Sequence, residues 1–156
     1  MFSRLNLIDR FNIDLDKLRS LVSGLSRHMK RVPYHNFTHA FNIVHMTYII
    51  LIQSKLRTIL DDVDVLAAIV GALAHDTGHP GLNNVYFQKV RHPMAQTCND
   101  QAVLEMYHGY LLQWLLSKPE NDILIGLTAQ EKTRFRKATL EAILGTDMTK
   151  HFMLCQ

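Results

Sequence analysis

Val65-Leu66-Ala67-Ala68-Ile69-Val70-Gly71-Ala72-Leu73-Ala74 runs without a charge into His75-Asp76-Thr77-Gly78-His79-Pro80-Gly81. Asp61, Asp62 and Asp64 crowd its start, where carboxylates favour the positive end of a helix dipole, so the run predicts a buried helix. Gly78, Pro80 and Gly81 then break it. A His-Asp pair at the end of such a run, where chain meets solvent, is a metal-ligand dipeptide. The run is about half the roughly 20 residues that a helix needs to span a bilayer, and no membrane span is expected.

The rest of the chain also reads as helix. Leu15, Leu18, Val22, Leu25 and Met29 fall at three-to-four spacing, the stripe of an amphipathic helix over 14–29 that Pro33 ends. Asn36 or Thr38 can cap a second helix carrying Ala40, Ile43, Val44, Met46, Tyr48, Ile49, Ile50 and Ile52, which is apolar all round and is expected to be central. Residues 94–116 read as helical with a break near His108-Gly109, and 117–122 as a loop. Thr128 opens a capping box with Glu131 and launches a helix to about Leu144. Met46, Met106, Trp114 and Phe135 are expected to pack in the core. No strand-like alternation is sustained and no repeat or low-complexity tract appears. The fold expected is therefore all-α, a compact multi-helix bundle forming a single domain over residues 1–156.

Lys and Arg total 17 against 14 acidic residues in 156, for a net formal charge of +3. The basic residues are scattered, and the densest group, Arg27, Lys30 and Arg31, reads as a solvated helix end, so no nucleic-acid surface is expected. Two distant cysteines, Cys98 and Cys155, fit buried thiols in a reducing compartment. Residues 1–11 alternate charged and apolar residues and lack the apolar stretch of a secretory signal, so a cytoplasmic location is the expectation.

Nine histidines invite the question of which converge. In Tyr34-His35-Asn36-Phe37-Thr38-His39-Ala40, His35 and His39 have the spacing that puts two imidazoles on one helix face. His45 lies about 240° round an ideal helix from His39 and points elsewhere. Imidazole and carboxylate together suit zinc, manganese and related divalent ions, which can acidify a bound water toward neutrality. His39, His75 and Asp76 would supply three ligands from two helices, with His35 and His79 nearby as proton donors or as groups that orient the ligands.

The runs YHNFTHA (34–40) and HDTGHPGLNN (75–84) resemble two signatures of the class I 3′,5′-cyclic nucleotide phosphodiesterase catalytic domain. NDQAVLEMYH (99–108), the helix around 138–145 and GTDMTKHF (145–152) agree with it in order and approximate spacing. The resemblance implies His35 as the general acid for the departing 3′ oxygen. It implies that His39, His75 and Asp76 bind zinc, with the aspartate shared with a second metal, usually magnesium or manganese. A hydroxide then attacks phosphorus and a 5′-monophosphate results. His79, Glu105, His108 and Thr146 would hold waters of the second metal or orient ligands, and Tyr34 and Asn83 would line the site.

Thr77 and Gly78 follow the His-Asp pair where the family usually has an aliphatic residue and Asp, and Tyr107 stands where His is common. The family's domain continues for about the same length again. That segment carries the aspartate that completes the zinc site, the glutamine for the purine and an aromatic clamp, none of which is in this sequence, so the bundle is expected to be truncated on its C-terminal side. Asp147 is part of the GTDM run and does not count as the missing ligand. Three readings follow. The first is metal-dependent hydrolysis of cyclic AMP or cyclic GMP; the second is a truncated, non-catalytic metal-binding chain that pairs with another chain, or with a second copy, through an exposed core. The third is another HD-type nucleotide phosphohydrolase, which the YHN and HPG contexts disfavour.

Overall fold

The computed structural model describes residues 1–150, and among these it contains helices and turns without a strand. Cys155, His151 and the last residue of the GTDMTKHF run lie outside the described residues. Nine α-helices follow in order: α1 (Leu7–Phe11), α2 (Leu15–His28), α3 (Phe37–Gln53), α4 (Leu56–Ile59), α5 (Asp62–Ala74), α6 (Asn84–Lys89), α7 (Pro93–Thr97), α8 (Val103–Leu116) and α9 (Ala129–Leu144). Short 3₁₀ turns occupy Pro119–Asn121 and Met148–Lys150.

The bundle is built around α5, which packs along α9 on one side and α3 on the other and also meets α1 and α8. Nine of its residues, from Val63 to Ala74, are buried, as an uncharged run requires. Its start is set by Asp61, whose side chain accepts from the Val63 and Asp64 amides at 2.9 and 3.0 Å. Arg134 of α9 pairs with both Asp61 and Asp64, tying the cap to the neighbouring helix. The expected capping box opens α9, with Thr128 and Glu131 bonded reciprocally.

Several expectations fail for physical reasons. Helix α3 begins at Asn36's cap, but it is not central: Ala40, Val44 and Leu51 are buried while Phe41, Met46, Ile50 and Ile52 are each about half exposed (49–53%). Its inner face is filled by α5, and no described residue covers the outer one fully. The segment 94–116 is interrupted at residues 98–102 and not at His108-Gly109, because Asn99, Asp100 and Ala102 adopt left-handed backbone between α7 and α8. Gly109 stays inside α8, where a side chain would meet Leu140 of α9 at 2.9 Å. Phe135 is fully buried, but Met46, Met106 and Trp114 are exposed, and Cys98 is half-buried. No helix among the described residues is long and apolar enough to cross a membrane.

Candidate metal centre

His39 lies in the first turn of α3, held there because Asn36 accepts from the Thr38 and His39 amides. His75 is the residue on which α5 ends and Asp76 follows in the turn, so the central helix delivers both. Contrary to the one-face expectation, His35 precedes the α3 cap and so stands outside the helix; its ring nevertheless lies 6.0 Å from that of His39.

Three side-chain atoms meet. His75 Nε2 is 3.0 Å from Asp76 Oδ2, His39 Nε2 is 3.3 Å from the same oxygen, and the two imidazole nitrogens are 3.3 Å apart. His75 Nδ1 donates to the Ala72 carbonyl at 2.8 Å, which leaves the lone pair of the neutral ring on Nε2. Asp76 Oδ2 is buried and makes no hydrogen bond among the described residues. Lone pairs crowded at these distances repel unless a cation joins them. A tetrahedral zinc with bonds of about 2.0–2.1 Å holds its ligand atoms roughly 3.3 Å apart. The donor set thus fits a divalent ion in both chemistry and spacing.

Titration directions describe how the group balances its own charges in the absence of a metal ion. Burial alone would raise the Asp76 carboxyl, but His75, and then His35 and His108, hold it below the ordinary carboxylate range. Burial alone would lower His75, but Asp76 and the Ala72 carbonyl outweigh it and raise the imidazole. Burial pushes His39 down, as do the neighbouring His75 and His35, against the pull of Asp76. A carboxylate kept ionised beside the buried His75 and the half-buried His39 is an environment that a metal ion can complete.

Around this group lies a cleft of about 700 Å³. His35 and His79 stack in it, with centroids 3.8 Å apart, and both have a ligand atom within 4.8 Å of an Asp76 oxygen. His79 Nδ1 accepts from the Gly81 amide at 3.0 Å, which places the ring proton on Nε2. Tyr34 is 64% exposed and rests its ring on His35 and His39. From the other wall, His108 is 1% exposed and donates Nδ1–H to the Thr77 carbonyl at 2.7 Å. Its burial lowers the pKa to about 4, so it is neutral near pH 7.

The remaining expected residues all line the cleft, in unequal ways. Glu105 stands one helical turn before His108 on α8. Asn83 is exposed, and its carbonyl caps α6 by accepting from Tyr86 N. Thr146 donates its hydroxyl to Ile143 O at 2.7 Å, and Asp147, though 5% exposed, uses its carboxylate to accept from Thr149 N. His28, His45 and His92 take no part: His28 lies edge-on to Trp114, His45 is exposed beside Phe41, and His92 caps α7. The residue that sequence reasoning missed is Asn84, which bonds Glu105; nothing in Asn83-Asn84 says which of two adjacent asparagines turns inward.

Residues 34–156 match the model of the 3′5′-cyclic nucleotide phosphodiesterase family. The chain belongs to that family. It is 35% identical over 97% of its length to the high affinity cGMP-specific 3′,5′-cyclic phosphodiesterase 9A of Drosophila melanogaster, of which it covers 10%. It is 34% identical over 96% of its length to the probable 3′,5′-cyclic-AMP phosphodiesterase pde-4 of Caenorhabditis elegans, of which it covers 22%. The crystal structure of the phosphodiesterase domain of the RhoPDE fusion protein from the choanoflagellate Salpingoeca rosetta superposes with a TM-score of 0.94 at 34% identity, over 97% of this chain and 48% of that one. The chain therefore spans about half of the solved domain it matches, and a smaller share of these curated relatives.

Proposed function

We propose that this chain is one part of a single phosphodiesterase catalytic domain that hydrolyses 3′,5′-cyclic AMP or cyclic GMP, or both, to the 5′-monophosphate. The observation that carries the reading is the convergence of three ligand atoms, from His39, His75 and Asp76, on the floor of a cleft large enough for a small ligand. Curated and solved relatives named as cyclic nucleotide phosphodiesterases supply the substrate class.

His39, His75 and Asp76 would hold zinc, and Asp76 would face a second ion, magnesium or manganese, with the help of His79, Glu105, His108 and Thr146. Divalent ions bound there offset charge on phosphate oxygens and acidify a water to a nucleophile near neutral pH. His35 holds a proton for the departing 3′ oxygen, with His79 stacked behind it to fix its ring plane. Neutral His108 offers a lone pair on Nε2, because Nδ1–H is committed to Thr77. Tyr34 and Asn83 form the rim. A reducing, cytoplasmic setting fits the cysteine usage.

The test is hydrolysis of both cyclic nucleotides by the 156-residue chain, with zinc plus magnesium or manganese, beside His75→Ala. Turnover that His75→Ala abolishes would mean that this chain's metal site suffices for hydrolysis; folded, metal-loaded protein without turnover on either nucleotide would refute activity of this chain by itself. A second reading rests on the half-exposed apolar residues of α3 and on Met106, Tyr110 and Leu140 of α8 and α9: the chain pairs with a second copy or another chain through this surface.

A further inference from the structure

Asn84 connects two helices by both ends of one amide. Its Oδ1 accepts from the Leu104 amide at 2.9 Å, and its Nδ2 donates to Glu105 Oε2 at 2.9 Å. Both partners lie in the first turn of α8, whose preceding residue, Ala102, has no capping side chain and sits in left-handed backbone at φ 45°. Asn84 thus does for α8, from the start of α6, what a capping box does within one helix. It satisfies one otherwise unpaired amide and clasps the acidic side chain of the same turn. The pairing is specific to an amide side chain, since it needs an acceptor and a donor about one amide width apart.

We propose that Asn84 is a positioning residue for the metal cleft: by holding Oε2 of Glu105 it aims the second carboxylate oxygen at the weaker metal site. This rests on the reading that Glu105 serves that second ion. Two features support an acting role through Glu105 beyond simple packing. Glu105 and Asn84 both line the cleft, and no described cation pairs with Glu105, so this neutral donor is what orients its charge.

Manganese titration of the zinc-loaded chain, followed by electron paramagnetic resonance, tests it with Asn84→Ala, Glu105→Ala and the double variant. Retained zinc and helical circular dichroism report that each variant folds. The expected result is a weaker manganese site loosened about tenfold or more by Asn84→Ala, the usual size of a loss when a group orienting a ligand is removed, with zinc kept. Asn84→Ala should have no further effect once Glu105 is alanine. If Asn84→Ala unfolds, the cycle is repeated with Asn84→Asp, which keeps an acceptor for Leu104 but has no N–H for Glu105, and loosening is expected only where Glu105 is present. Unchanged manganese affinity in Asn84→Ala, with Glu105→Ala weakened, overturns the inference alone. Equal losses with and without Glu105 also overturn it, leaving a brace. A wild-type chain without a weaker manganese site, or a Glu105→Ala variant that binds as wild type, overturns the reading beneath it and the inference together.

Discussion

His108 shows how burial assigns a protonation state. In an unfolded chain its imidazole would titrate near 6.5, and in the folded chain it titrates at about 4 because burial disfavours the cation. Between those values the unfolded state takes up a proton that the folded state refuses, so the folded state loses stability as pH falls from about 6.5 toward 4. The full loss is roughly 3 kcal/mol. Urea midpoints of metal-stripped protein should therefore drop from pH 7 to pH 5 more steeply in wild type than in His108→Gln; equal slopes would show that His108 does not carry this dependence. The site was legible in the sequence where spacing and chemistry coincide, as in His75-Asp76 and His39. It was not legible where position depends on a partner, since Asn84 gains its meaning only from Leu104 and Glu105, some twenty residues on.

Helix starts follow from single side chains. Asp61 caps α5 by accepting two amides and also meets Arg134, so Asp61→Ala should lower stability by about 1 kcal/mol in denaturant titration, nearly all of it from the cap. Lys137→Ala, which breaks only an exposed pair 3.9 Å long to Glu141, should stay within about 0.5 kcal/mol of wild type. Comparable losses in both would mean that surface charge, and not capping, governs the α5–α9 seam. Local signals of this kind made Thr128-Glu131 and Asn36 readable in advance. The break between α7 and α8 was not, because Ala102 has no intrinsic reason to turn left-handed, whereas Gly109 suggested a break and is instead a packing contact with Leu140. Helices α1, α4 and α6 are too short to show a period.

Across the whole molecule, the end of α1 is fastened to the segment before α9 at Gly126, where an added Cβ would lie 1.9 Å from the Phe11 carbonyl oxygen. Phe11 is buried, so the backbone has to shift, and Gly126→Ala should cost roughly 2–3 kcal/mol, read as a lower thermal midpoint. A wild-type midpoint would show that this junction is loose. The all-α class was legible because no stretch alternates, but the outward face of α3 was not: an apolar composition says that a surface needs covering and leaves open by what. Exposed Phe41, Met46 and Ile50 predict self-association that rises with concentration in sedimentation velocity and falls in Phe41→Ser; a strict monomer at all concentrations would remove pairing with a second copy. The most direct test of the central claim is zinc content after gel filtration of wild type and His75→Ala. Stoichiometric zinc in the wild type and its loss in a still-helical His75→Ala is the predicted result; unchanged zinc in that variant would contradict the metal centre built from His39, His75 and Asp76.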